Sequence, residues 1–212
     1  MVKTELILIQ TNQIKLEAEY FHSNKNRVNT TVLITHPHPQ FGGDMRNNVV
    51  SGIFNMLIQE DISCLRFNFR GVGRSTGHHT DGTGELNDVK ANINYLLDER
   101  GCEKLFLCGY SYGAAIGCSM VNYSDKIIGY AAVSFPWDFM GEKYKKLSYS
   151  LKPKLFIQGD NDSIATFDRF KAHFNDYQEP KDSIIIRGAD HFYWGYESQV
   201  AEQVLKFLIS LV

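Results

Sequence analysis

The chain has 212 residues, 43% hydrophobic and 22% charged, with a formal net charge of −2. Residues 1–212 are long enough for one α/β domain with a substantial core. A balance so near neutral excludes nucleic acid as the main partner, and the one basic cluster (Lys143, Lys145, Lys146) reads as a solvated face.

The N-terminal MVKTELILIQTNQIKLEAEY does not read as a secretory leader, because its apolar run is short and Glu5 interrupts it. No stretch approaches the roughly 20 apolar residues of a membrane span. TELILIQ and the more alternating IKLEAEYF predict two strands, paired as a hairpin. TVLITHP (31–37) predicts a buried strand. NVVSGIFNMLIQED (48–61) sets Val49, Ile53, Met56 and Leu57 on one helical face. SCLRFNF (63–69) is a further strand, and residues 70–84, with five glycines, predict a loop.

ELNDVKANINYLLDER (85–100) has helical spacing, and Gly101 is its expected stop. KLFLCG (104–109) predicts a strand running into AAIGCSMV, a small-residue helix suited to close packing on a sheet. Residues 126–135, 154–159 and 182–188 are apolar strands, and 165–174 and 198–212 are helices. Strands alternating with helices imply a mostly parallel sheet covered on both faces. Cys64, Cys102, Cys108 and Cys118 show no C-x-x-C spacing, as expected of reduced thiols in a cytoplasmic protein.

Gly109-Tyr-Ser111-Tyr-Gly113 matches G-x-S-x-G. Chance alone produces that pattern roughly once in fifteen chains of this length. Its position between a strand and a helix is what raises it: a sharp turn there strains the serine backbone and exposes its hydroxyl. A nucleophilic serine needs a base, and the base needs an orienting acid, in the chain order serine, acid, histidine. Two histidines follow Ser111. His173 lies in a helix of mixed polarity and reads as a surface residue. His191, in the loop after strand 182–188, is the expected base, because ligands bind at the carboxyl edge of such sheets. Asp162 is the preferred acid, three residues past Gly159. Asp160 reads as a turn residue, Asp138 is a rival, and Asp190 adjoins the histidine.

THPHPQFGGDMRNNVV (35–50), LRFNFRGVGRSTG (65–77), GYSYG, QGDNDSI and GADHFYWG follow in order. With these motifs the chain resembles an α/β-hydrolase of the compact, lidless, dienelactone-hydrolase-like bacterial group, over nearly its whole length. It departs from dienelactone hydrolases proper, whose nucleophile is cysteine. The resemblance implies an α/β-hydrolase fold without a cap domain, and Ser111 as nucleophile, Asp162 as acid and His191 as base. Together with geometry it implies an oxyanion hole from the Tyr112 N–H and a donor in the loop after strand 31–37. Pro37 and Pro39 have no N–H to give. His38 fits best, with Gln40 and Phe41 as fallbacks.

Gly71-Val-Gly73 mimics a dinucleotide loop but has the wrong spacing and no ribose-binding acid. Arg70 and Arg74 are instead expected to pin that loop. His36, His38, His78, His79 and Asp81 suggest a metal site only superficially, and read as exposed loop residues. No metal or cofactor is expected. Phe41, Trp137, Phe139, Phe192 and Tyr193 are candidates for an apolar substrate pocket, with core or rim packing as the alternative. The segment 135–151 has room for one short helix around MGEKYKKL. The expected activity is hydrolysis of small or short-acyl esters through an acyl-enzyme. An acyltransferase or peptidase with the same triad, or a non-catalytic binding protein on this fold, are the alternatives.

Overall fold

The computed structural model describes residues 3–11, 13–24 and 29–212. Met1 and Val2, at the head of the segment read as lacking a leader, lie outside these. The strands are β1 (Glu5–Gln10), β2 (Lys15–Phe21), β3 (Thr31–Thr35), β4 (Cys64–Phe67), β5 (Leu105–Tyr110), β6 (Ile127–Val133), β7 (Lys154–Gly159) and β8 (Lys181–Ile186). They form one eight-stranded sheet in the order β1-β2-β4-β3-β5-β6-β7-β8. β1, β2 and β4 pair antiparallel, and the remaining pairs are parallel.

The helices are α1 (Asn48–Gln59), α2 (Thr83–Asn94), α3 (Tyr112–Cys118), α4 (Trp137–Leu147), α5 (Phe167–Phe174) and α6 (Glu197–Ser210). β3, β5 and β7 are buried at every position. Strands covered on both faces must be apolar throughout, which is why they read as continuous runs. Their alternate side chains feed two cores. Leu33 and Leu107 point into the layer holding Val89, Ile93, Ala114 and Phe170. Val32, Ile34 and Phe106 point the other way, into Val49, Ile53, Leu57, Val200 and Val204 of α1 and α6.

The long helix expected at 85–100 begins at Thr83 and passes into a π-helical turn over Tyr95–Glu99 before Gly101, at φ +67°, ends it. Glu85 sets the earlier start: its carboxylate accepts the Gly82 and Thr80 N–H groups and the Thr80 hydroxyl. The segment 135–151 holds α4, which starts ahead of MGEKYKKL and is broken at Gly141 (φ 71°, ψ 176°). Among the described residues no helix is long and apolar enough to cross a membrane.

Candidate active site

Ser111 occupies the turn between β5 and α3 with φ 54° and ψ −121°, outside the comfortable range of an L-residue. Its flanking glycines are required sterically. A Cβ at Gly109 would collide with the Gly113 carbonyl, and one at Gly113 with the Thr35 and His36 carbonyls. The Thr35 hydroxyl donates to the Gly113 carbonyl at 2.8 Å, tying β3 to the turn.

The loops after β7 and β8 meet beside this serine. Gly159 permits the approach, since a Cβ there would strike the Ala189 carbonyl. The Asn161 N–H donates to Ala189 O at 3.0 Å, and Asp160 Oδ1 accepts the Gly188 N–H at 2.6 Å. Asp160 is thus an exposed brace between loops. Asp162 points inward. Its Oδ2 lies 2.8 Å from His191 Nδ1, and His191 Nε2 lies 2.9 Å from Ser111 Oγ. Asp162 Oδ1 accepts the Ile164 and Ala165 N–H groups at 2.9 and 2.8 Å. Burial pushes the carboxyl pKa up, but the hydrogen bond and charge of His191, with the bonds from Ser134 and the Ile164 N–H, hold it below the usual range. Asp138 pairs instead with Arg169 on the surface.

Further groups complete the carboxylate's surroundings, among them the Gln158 amide, whose Nε2 donates to Asp162 Oδ2 at 3.3 Å. The Ser134 hydroxyl donates to Asp162 Oδ2 at 2.7 Å. Its one proton being spent there, the Tyr193 hydroxyl, also 2.7 Å away, donates to Ser134 Oγ. Ser134 escaped the sequence reading because it belongs to no motif. Its place just past β6, the strand beside β7, is the signal that could have found it. Tyr193 was a pocket candidate, but it is fully buried and acts through Ser134 instead. Trp137 is likewise displaced from the pocket. It lies buried, stacked on Phe135 and His173 at centroid distances of 4.3 and 5.3 Å. His173 is therefore partly covered by that stack and is no plain surface residue.

Phe41, Phe139 and Phe192 do line a cleft of about 430 Å³ that contains Ser111 and His191. They are 82%, 70% and 52% exposed. Pro136, Met140 and Ile164 add to its walls, and among the described residues no Asp, Glu, Lys or Arg lines it. A second hollow of about 450 Å³ lies beside α2, away from Ser111, where Arg70 and Asp88 satisfy each other. Arg70 thus pins its loop, whereas Arg74 is exposed and uses its backbone N–H, bonded to Glu17.

After β3 the chain forms a 3-10 turn at Pro39–Phe41. The Phe41 and Gly43 N–H groups donate to His38 O, and the Gln40 N–H donates to His38 Nδ1. The two fallback donors are consumed by the turn itself. Among the described residues the N–H groups of His38 and Tyr112 make no such bond, and their side-chain rings pack together at 4.7 Å.

The loop histidines differ from their expected reading. His36 is fully buried. Its Nδ1 lies 2.7 Å from Pro37 O and its Nε2 accepts the Phe69 N–H at 3.0 Å, so the ring is neutral and spans two loops. The His38 and His79 rings pack at a tilt, 5.0 Å apart, while His78 is exposed, and among the described residues no group of three or more His, Cys, Asp or Glu is placed to hold a metal ion. Burial lowers the His36 pKa from 6.5 to about 4. As pH falls, the unfolded chain takes up this proton first. Stability of about 3 kcal/mol, fully present above pH ~6.5, is lost as pH approaches ~4. Urea unfolding at pH 7, 6 and 5 should show this slope, and His36→Asn should reduce it. An equal slope in the variant would refute the assignment.

A family model described as an alpha/beta hydrolase domain matches residues 28–204. An uncharacterized protein of Rickettsia prowazekii is 32% identical over 186 residues, 84% of this chain and 78% of that protein. A serine hydrolase homologue from Coxiella burnetii has TM-score 0.86 at 31% identity, over 98% of this chain and 97% of that one. A serine hydrolase without a lid from Xanthomonas campestris has TM-score 0.85 at 22% identity, over 99% and 95%, a likeness of fold. With this sheet order, the strained serine at the β5–α3 turn and the match over most of its length, the chain belongs to the α/β-hydrolase family.

Proposed function

We propose that the chain is a serine hydrolase that cleaves small or short-acyl carboxylic esters through an acyl-enzyme. One observation carries this: an unbroken series of hydrogen bonds from Asp162 through His191 to the Ser111 hydroxyl, beside two unspent backbone N–H groups. Ionised Asp162 can only accept, so His191 carries its proton on Nδ1 and presents a bare Nε2 to the serine. Ser111 Oγ attacks the ester carbonyl as Nε2 takes the hydroxyl proton. The Tyr112 and His38 N–H groups hold the oxyanion, a contact worth several kcal/mol in a dry site. The tetrahedral intermediate collapses, and His191 returns the proton to the leaving alcohol. Water then repeats the sequence in reverse on the acyl-enzyme and frees the acid.

The surroundings serve these steps. The bonds from Ile164, Ala165 and Ser134 orient the carboxylate and leave Oδ2 facing His191. The Tyr110 hydroxyl fixes the histidine from behind through its carbonyl, at 2.5 Å. The packed rings of His38 and Tyr112 keep the two donors in register. The uncharged cleft suits a neutral small-molecule ester, and no step calls for a metal or organic cofactor.

A fluorophosphonate probe tests the reading directly, because it reacts with an activated serine whatever the substrate. Intact-mass analysis should show one adduct, on Ser111, and none in Ser111→Ala. A wild-type chain that takes up no label would favour the non-catalytic alternative. Product analysis with added alcohol or amine acceptors separates hydrolysis from acyl transfer.

A further inference from the structure

The first turn of α4 stands apart from the rest of that helix. Trp137 anchors it in the core through its stacks on Phe135 and His173. Gly141, at φ 71° and ψ 176°, cuts it off from the residues that follow. That backbone region is open essentially to glycine alone, so the break is built into the sequence. The isolated turn carries two large apolar side chains over the cleft, Phe139 at 70% exposure and the half-buried Met140. Asp138, between them and the anchor, pairs with Arg169 of α5 and braces the turn from outside.

The chemistry of the site divides the cleft. A leaving alcohol oxygen must come within hydrogen-bond reach of His191 Nε2 to receive its proton. The alcohol group therefore lies on the His191 side, where Phe192 follows directly in sequence and the Asn48 side chain holds the Phe192 carbonyl at 2.8 Å. The other apolar walls of the cleft are Phe41, Ile164 and, on the segment after β6, Pro136, Phe139 and Met140. Among the described residues no Asp, Glu, Lys or Arg lines the cleft to meet an acyl carboxylate or ammonium group.

We infer that the turn Trp137–Met140 is the specificity-determining wall of the acyl arm, and that it selects uncharged apolar acyl groups of a few carbons by packing Phe139 and Met140 against them. This rests on the serine-hydrolase reading. The wall is one turn long, so it covers only the first carbons past the carbonyl. Longer chains leave the cleft for water and gain nothing further. Each CH₂ that the wall covers should raise kcat/KM roughly fourfold.

The test compares p-nitrophenyl acetate, butyrate, hexanoate, decanoate and laurate with the monoanionic succinate ester. The wild type should prefer butyrate to acetate by roughly fifteenfold, level off at or beyond hexanoate, and discriminate against the anionic acyl group of succinate. Phe139→Ala should lower the butyrate-to-acetate ratio toward one. Gly141→Val, which forces the turn to move without removing either side chain, should lower it too. Phe192→Ala, on the alcohol arm, should leave the ratio in place and instead change the ranking of leaving alcohols. An unaltered ratio in Phe139→Ala, in protein whose Ser111 still takes the fluorophosphonate label, overturns the wall assignment alone. Absence of label in the wild type overturns the serine-hydrolase reading beneath it. A wild-type rate that keeps climbing to long chains would also remove the one-turn wall.

Discussion

Ser111→Ala lowers kcat by roughly 10⁴-fold or more and leaves the fold as it was. The substitution removes one oxygen, whose hydrogen-bond partner in the folded chain is His191 Nε2. The strained backbone at φ 54° belongs to the turn and its close glycine contacts, and it persists in the variant. Thermal unfolding and circular dichroism should therefore match the wild type while ester turnover collapses. Whatever rate survives measures the oxyanion donors and binding without a nucleophile. Retention of most of the activity would end the serine mechanism for this chain.

Asp162→Asn should cost about 10⁴-fold in kcat, and the hydrogen-bond pattern shows why. Oδ1 accepts two backbone N–H groups, from Ile164 and Ala165, so the amide oxygen of asparagine must take that place. The NH₂ group then stands where Oδ2 was and points donors at His191 Nδ1 and the Ser134 hydroxyl. His191 must turn its lone pair to Nδ1 and carry its proton on Nε2, where it can no longer take the proton of Ser111. The variant also loses the negative charge that stabilises the imidazolium. Asp160→Asn keeps an oxygen to accept the Gly188 N–H, and Asp138→Asn loses an exposed ion pair, so both should stay within a few-fold of wild type. Steady-state kinetics on the three variants decides the matter. If Asp138→Asn were the most damaging, the acid would belong to the loop after β6.

Local chemistry was legible in the chain wherever the backbone itself imposes it. Gly109 and Gly113 announce the turn because no side chain fits against the neighbouring carbonyls. Gly101 announces the end of the helical run because its φ is positive. The apolar runs of β3, β5 and β7 announce a covered parallel sheet because such strands are buried on both faces. From these the order of Ser111, Asp162 and His191 along the sheet edge follows, since each stands in the loop after its own strand.

Side-chain direction within a loop carries no such signature. Trp137 and Phe139 are two residues apart in the first turn of α4 and equally aromatic, yet one anchors the core and the other faces water over the cleft. Phe192 and Tyr193 are adjacent and divide in the same way. Ser134 supports Asp162 from outside any motif, and His36 looked like a loop residue until its two nitrogens met Pro37 and Phe69. The second oxyanion donor belongs here as well, because the turn's own bonds decide which N–H groups remain unspent. The sequence by itself determined the sheet, the strained serine and the order of the three polar groups, all set by interactions among near neighbours and by burial along a strand. Tertiary structure alone decided which aromatics face the cleft, which polar groups hold the acid and which amides stay free, because each depends on contacts between segments far apart in the chain.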